Sequence, residues 1–306
     1  MSTQRAQPAS ISWVLWTLIG ISIPVIAFFT FANYFASPIA AFLGVLFGLV
    51  YFAVGTALFF FSPMWPTAGW KWYFACIGWG AGASFCIVML SAAPFTDLTD
   101  KLGWEAVSAS FAGAYPEEIA KSLGVLLILF TFSKLTRPWH GFVTGAMIGL
   151  GFEVFENISY GVLGAMSDPN TDITGALYSW WIRSIAGPGL HVAFTAIAGY
   201  GIGLAVFRYG WDTLQRFLVG LCALGVAFCL HFTWNLQFDS YAKQIANFII
   251  VALILYPLMV WLWLRCHRQA KNDLGVVRMK RPITTIAELQ RRKLATTSEE
   301  SQPHAS

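Results

Sequence analysis

Charge is scarce in this sequence. Only 11% of its 306 residues are Asp, Glu, Lys or Arg, whereas soluble domains carry roughly 25%. Hydrophobic residues account for 57% of the chain. A chain of this composition cannot cover a protein surface with charge, so it is not a soluble globular domain and belongs in a lipid bilayer.

Several motifs of other protein classes are also missing. The five cysteines include no CxxC pair, so we interpret them as small apolar helix residues rather than as metal ligands or a redox pair. The HExxH zinc motif is absent, so no local motif supports a metal. Nine of the 19 Lys and Arg residues follow position 264, which indicates a basic tail and no nucleic-acid-binding surface.

Long apolar segments are abundant. A transmembrane helix needs about 20 mostly apolar residues. About eight segments qualify: 11–32, 40–61, 71–93, 111–133, 139–164, 184–207, 216–238 and 245–264. The sequence therefore predicts an all-α, polytopic membrane helix bundle over residues 1–264, with a motif-bearing core at 110–240, followed by a basic cytoplasmic tail over 265–306.

Charges in the connections between these segments predict an orientation. Alternate connections carry basic residues in excess, namely Lys71, then Lys134 and Arg137, then Arg208 and Arg216. By the positive-inside rule these connections face the cytoplasm. Both termini are then cytoplasmic in the cell membrane, which requires an even number of spans.

Ionisable side chains within the apolar segments are confined to the fourth to seventh segments. They are Glu117, Glu118 and Lys121; Glu153 and Glu156; His191; and His231. At 1.5 Å per helical residue, Glu117, Glu156, His191 and His231 lie roughly 9–12 Å below the outer membrane surface. Charges at this depth are costly and usually mark function. We predict one site, open to the outer aqueous phase, within four helices, with the other four helices as outer packing.

These residue types suit peptide hydrolysis in two ways. Buried, like-charged neighbours such as Glu117 and Glu118 can activate water as a general base and then protonate the leaving amine. The imidazoles and the Asn235 amide can stabilise the oxyanion. Alternatively, His191, His231 and one glutamate can form a three-ligand zinc site with an open position for water.

Two functions of other classes fit the same residues. Intramembrane acid and histidine clusters also form proton relays, so a proton- or cation-coupled transporter is one alternative. The lack of an internal repeat weighs against it. A scaffold that binds membrane helices without cleaving them is another.

Four motifs in fixed order resemble those of the PrsW family of intramembrane proteases. EExxK matches Glu117 to Lys121, and a Phe followed by a Glu-Asn pair matches Phe152 and Glu156-Asn157. A histidine opening a glycine-rich helix matches His191, and HxxxN matches His231 to Asn235. The set covers about 110–240, under half of the chain.

The resemblance implies a multi-pass membrane peptidase that cleaves membrane proteins. Glu117 and Glu118 would activate water, and Asn235 would stabilise the oxyanion. Glu156, His191 and His231 would be metal ligands or polarising groups, and a zinc ion is the metal implied. Lys121, Asn157 and Glu153 would support the site, although Glu153 lies outside the motifs.

The wider superfamily, which includes the CAAX proteases and bacteriocin-processing enzymes, often has a histidine where Glu156 stands. This difference places the chain nearer PrsW and leaves prenyl-protein processing as an alternative.

Overall fold

The computed structural model describes residues 9–273, and all the regular elements within that range are helices. The α-helices are α1 (Ala9–Ala36), α2 (Pro38–Phe60), α3 (Trp70–Gly78), α4 (Phe85–Lys101), α5 (Glu105–Ala109), α6 (Tyr115–Thr131), α7 (Pro138–Ser167), α8 (Asp172–Ile185), α9 (Leu190–Phe207), α10 (Thr213–Trp234) and α11 (Tyr241–Lys271). Two π-helical segments, Trp79–Ser84 and Ser110–Ala114, join α3 to α4 and α5 to α6.

The bundle carries the apolar surface expected of a membrane protein. Within the described residues, six helical segments are long and apolar enough to cross a bilayer: Ile11–Ala36, Pro38–Phe60, Trp70–Lys101, Asp172–Phe207, Thr213–Trp234 and Tyr241–Lys271. Large side chains such as Phe28, Leu49 and Leu253 are exposed on their outer faces. The prediction of an all-α, multi-pass membrane bundle is confirmed.

The predicted number of about eight spans included α6 and α7, which are not among these six. Both helices carry glutamates, which make them less apolar than the others. The last helix continues through Lys271, so residues 265–271 of the predicted tail extend it. Residues 274–306 of that tail lie outside the described residues.

Helix α7 is the centre of the bundle, and glycines determine how closely α9 packs on it. A methyl group at Gly141, Gly145 or Gly149 would lie 2.1–2.2 Å from a carbonyl oxygen of α9. Only glycine permits this separation, and small residues one turn apart are a common helix-packing device in membranes. This line of glycine contacts, the α7–α9 seam, fixes the position of α9 along the axis of α7.

Helices α8 and α9 lie one after the other along α7, both antiparallel to it. Gly175 of α8 lies against Gly164 near the end of α7, while Gly203 of α9 lies against Pro138 at its beginning. Between them the chain turns through residues 186–189, and Gly189 adopts the left-handed conformation, with φ +69°. Helices α8 and α9 together form one rod that is interrupted at residues 186–189, so α9 begins inside the bundle rather than at its surface.

Helix α6 continues a rod that is already helical from Glu105. Pro116 would suit the first position of an ordinary helix, but α6 follows a π-helical segment directly. Proline has no N–H to donate, and a π-helical turn is one way for a helix to accommodate the lost hydrogen bond. The Ser110 hydroxyl donates to the Phe232 carbonyl at 2.7 Å, which joins this rod to α10.

Candidate active site

Four of the predicted site residues meet inside the bundle. Glu117, Glu118, His191 and His231 each offer one ligand atom, and these atoms all lie within 4.8 Å of one another. All four side chains are buried. Their helices α6, α9 and α10 therefore bring together residues that are 40 to 114 positions apart in sequence, as the shared depth predicted.

Each imidazole is oriented by a glutamate. His191 Nε2 lies 2.8 Å from Glu156 Oε2, and His231 Nδ1 lies 2.9 Å from Glu118 Oε1. A carboxylate only accepts hydrogen bonds, so each of these nitrogens carries the proton and donates it. The second nitrogen of each ring is then an acceptor, and a carboxylate partner of this kind is typical of ligating histidines.

Glu117 lies next to the unprotonated nitrogen of each imidazole. Its Oε2 is 3.4 Å from His191 Nδ1 and 3.9 Å from His231 Nε2. Its Oε1 points to the other side, because a methyl group built on Gly113 would lie 3.2 Å from Glu117 Oε1 and 3.2 Å from the Asn235 amide nitrogen. Glu117, the candidate base, and Asn235, the candidate oxyanion donor, thus border the same small space.

Lys121 supplies a positive charge behind the carboxylates. Its side chain is fully buried, and its Nζ lies 2.7 Å from Glu118 Oε1 and 3.2 Å from Glu117 Oε2. Nζ also lies 3.0 Å from His191 Nδ1, which is an acceptor in the tautomer assigned above. The ammonium therefore partly neutralises the two glutamates, so a buried pair of negative charges is tolerated.

A cavity of about 820 Å³ reaches only part of this cluster. Its walls include Glu117, Glu156, His191, His231 and Asn235, but neither Glu118 nor Lys121. The cavity distinguishes the two adjacent glutamates: Glu117 faces the space where a substrate and water can enter, while Glu118 lies behind it. Its remaining walls include the end of α1, the start of α4, the segment Ser110–Ala114, the ends of α7 and α10, and the start of α11.

Glu156 and Asn157 share a partner that the sequence did not assign to the site. The Arg183 guanidinium donates to Glu156 Oε2 and to Asn157 Oδ1, and it lies 4.1 Å from the centre of the Tyr160 ring. Arg183 also lines the cavity. The sequence placed it in an outer connection, but α8 carries it down to the level of Glu156.

Glu153 contacts α2 and the start of α9. Sequence analysis left its role open, and its neighbours here are the Tyr51 hydroxyl and backbone N–H groups at the start of α9. Tyr51 lies on α2, which was assigned to outer packing. Backbone donors carry no sequence signal, so this contact was not predictable.

The clustered donors suit a divalent cation. Two neutral imidazole nitrogens and two carboxylates form a donor set that zinc accepts. One carboxylate oxygen, Glu118 Oε2, is buried without a hydrogen-bond partner in the described structure. Glu156, predicted as a ligand, lies on the far side of the His191 ring from this cluster, so its role as a ligand stays a prediction.

Comparison with known proteins agrees with this site. A family model described as "PrsW family intramembrane metalloprotease" matches residues 68–262. The chain is also 25% identical over 158 residues to Protease PrsW of Oceanobacillus iheyensis, an alignment that covers 52% of this chain and 63% of that protein. No solved structure matches the chain. Because the family match spans well over half of the sequence and includes all the clustered residues, the chain belongs to the PrsW family of intramembrane metalloproteases.

Proposed function

We propose that this protein is an endopeptidase that cleaves membrane proteins within or near the bilayer, using water activated by Glu117. The observation that carries the proposal is the position of Glu117 on the cavity wall. Its Oε2 lies beside the unprotonated nitrogen of each imidazole, and its Oε1 borders the space shared with Asn235. Membership of a protease family favours this function over the transporter and prenyl-peptidase alternatives.

In the proposed reaction, Glu117 Oε1 accepts a proton from a water molecule in the cavity. The water oxygen bonds to the carbonyl carbon of the scissile peptide, and the carbonyl oxygen becomes an oxyanion. When the C–N bond breaks, the same carboxyl group gives its proton to the leaving nitrogen. One residue thus serves as base and then as acid.

Asn235 is the proposed donor to the oxyanion. Its amide nitrogen borders the same space as Glu117 Oε1, and its contact with His231 Nε2 is long, at 3.4 Å. An N–H group with such a weak protein partner is available to a developing negative charge. Asn235 is the C-cap of α10, so the helix end holds the amide at the cavity.

A zinc ion would be held by Glu117, Glu118, His191 and His231. When bound, it would supply Lewis-acid activation of water and of the substrate carbonyl. Glu156 fixes the proton on Nε2 of the His191 ring, which leaves Nδ1 of that ring to ligate. Lys121 donates into the same group of atoms and lowers the cost of placing two carboxylates together.

We further propose that the cavity lies on the extracytoplasmic side of the cell membrane. Its walls include the ends of α1, α7 and α10, whereas the basic residues Lys134, Arg137 and Arg208 lie at the opposite ends of their helices. The positive-inside rule then places both termini in the cytoplasm. The partners are the lipid bilayer and a membrane-protein substrate.

Reconstitution with candidate membrane-protein substrates tests the proposal. We expect Glu117→Gln to lower the cleavage rate about 10²–10⁴-fold, since the amide cannot accept the proton. Glu105→Gln is the matched control, because Glu105 is exposed at the start of the same rod. It should cleave as the wild type does.

Metal analysis of the purified protein tests the finer mechanism. One zinc ion per chain, lost in His191→Ala and in Glu117→Gln, is the expected result. Unchanged cleavage by Glu117→Gln would contradict glutamate activation of water. Cleavage without any bound metal would contradict metal assistance and leave glutamate activation standing.

A further inference from the structure

The start of α9 lies inside the bundle, where its first N–H groups cannot be satisfied by bulk water. The first turn of any α-helix has N–H groups without partners in the helix. They are usually satisfied by the side chain of the N-cap residue, but here that residue is Gly189, which has none. Unsatisfied backbone groups are costly in an apolar environment, so α9 needs a partner from elsewhere.

Glu153 of α7 provides that partner. Its Oε2 accepts hydrogen bonds from the backbone N–H groups of His191 at 3.0 Å and Val192 at 3.3 Å. These are the second and third residues of α9, the positions that an N-cap side chain normally satisfies. Its Oε1 accepts from the Gly189 N–H at 2.9 Å, so one carboxylate satisfies three backbone donors.

Tyr51 of α2 completes this arrangement. Its hydroxyl donates to Glu153 Oε1 at 2.5 Å and accepts from the Gly189 N–H at 2.6 Å. Glu153 is 2% exposed, and its contacts among the described residues are with a hydroxyl and with backbone donors rather than with a nearby cation. The partial positive charge at a helix N-terminus stabilises a carboxylate in that position.

The capped turn contains a candidate catalytic residue. His191 donates its own backbone N–H to Glu153, while its ring is held by Glu156, three residues further along α7. The backbone and the side chain of the same histidine are therefore both attached to one helix. Glu153 itself does not line the active-site cavity, so it cannot contact the substrate there.

We propose that Glu153 and Tyr51 form an N-terminal cap, supplied by neighbouring helices, that positions His191 for catalysis. The inference rests on the proposed peptidase function for its kinetic consequence, but not for the cap itself. It gives a positioning role to the α7 glutamate outside the family motifs and to a tyrosine on a helix that carries no motif.

Hydrogen exchange measured on the full-length protein in detergent tests the cap without any substrate. In Glu153→Ala, the amides of residues 189–193 should exchange at least about tenfold faster than in the wild type, because a lost cap frays the first turn. Glu153→Gln keeps one acceptor oxygen and should show a smaller increase. Exchange in α10 and in the part of α9 beyond its first turn should be unchanged.

Kinetics then tests positioning. Displacement of a catalytic group by about 1 Å can cost roughly 100-fold in rate, so Glu153→Ala should lower kcat by up to that factor while KM changes less than twofold. Glu153→Gln should restore part of kcat, and Tyr51→Phe should lose a few-fold. Glu105→Gln is the matched control, since Glu105 is exposed and far from α9.

Three outcomes would overturn the inference: unchanged exchange at 189–193 in both Glu153 variants, faster exchange throughout the bundle, or a change in KM alone. If the wild type shows no cleavage, the peptidase proposal fails while the exchange result still decides the cap. If Glu153→Ala does not fold, Glu153→Gln and Tyr51→Phe carry the same test.

Discussion

The two histidines reach the same site from helices that are packed very differently. Helix α9, which carries His191, is buried along most of its length, whereas α10, which carries His231, has only Ala227 and His231 fully buried. His191 is fixed through its backbone, by glycine packing and by the Glu153 contact. His231 is fixed through its side chain, by Glu118 and by the Phe194 ring stacked at 4.8 Å.

This difference shows two ways of placing a polar group inside a membrane. On the α9 side, close backbone contact sets the position, and the side chain has little freedom to move. Helix α10 leaves most of its own residues exposed on the outside of the bundle. Side-chain contacts at its end must therefore hold His231 in position. Substitutions should therefore act mainly on stability at α9 and mainly on activity at α10.

The largest expected effect is at the α7–α9 seam. A methyl group at Gly145 would lie 2.1 Å from the Thr195 carbonyl oxygen, so Gly145→Ala must push the helices apart, at a cost of about 3 kcal/mol. Gly225→Ala on α10 is the control, because nothing lies within 4 Å of its methyl position; alanine is the better helix former there by about 1 kcal/mol. Thermal unfolding in detergent should show a lower Tm for the first variant alone. Equal shifts would contradict the contrast between the two helices.

The next effect compares the glutamates that hold the two imidazoles. Glu118→Gln should lower kcat/KM roughly 10–100-fold, as is typical when the partner of a functional histidine is removed. Glu156→Gln should cost less than about tenfold, because the His191 backbone stays anchored on α7. Steady-state cleavage assays on both variants measure the ratio. Losses of similar size would show that the α9 backbone contacts do not hold the ring.

The smallest effect concerns the space beside Asn235. Gly113→Ala would place a methyl group 3.2 Å from both Glu117 Oε1 and the Asn235 amide nitrogen, which leaves less room for water between them. We expect about a tenfold loss in kcat, the equivalent of roughly 1.4 kcal/mol in the barrier. Gly220→Ala, with its nearest neighbour at 3.7 Å, is the control. A normal rate for Gly113→Ala would show that this space is not where water reacts.

Much of this architecture was predictable because membrane proteins signal their helices strongly. The apolar segments predicted the bundle, and helix rise alone placed Glu117, His191 and His231 at similar depth. The histidine and glutamate positions were predictable because ionisable groups are rare in spans and stand out there. The distinction between Glu117 and Glu118 was not predictable, since adjacent residues share a sequence environment but face different spaces.

Other contacts depend on tertiary structure that the sequence does not express. Arg183 falls in the connection between the predicted segments 139–164 and 184–207, whereas α8 carries it to Glu156. Tyr51 lies in a segment with no ionisable motif, so nothing marked it as a neighbour of the site. The π-helical turn before Pro116 also escaped prediction, because the same sequence fits an ordinary helix start.

The glycine seam also determines where the molecule can open. Carbonyl oxygens of α9 occupy the space that side chains of α7 would fill, so the two helices cannot slide past each other or tilt apart without losing their contact. The cavity is also bordered by α1, α4, α10 and α11, so a polypeptide that enters it passes beside these helices and not between α7 and α9. Helices α7, α8 and α9 thus form the rigid part of the bundle, and any widening of the cavity comes from the helices that face them.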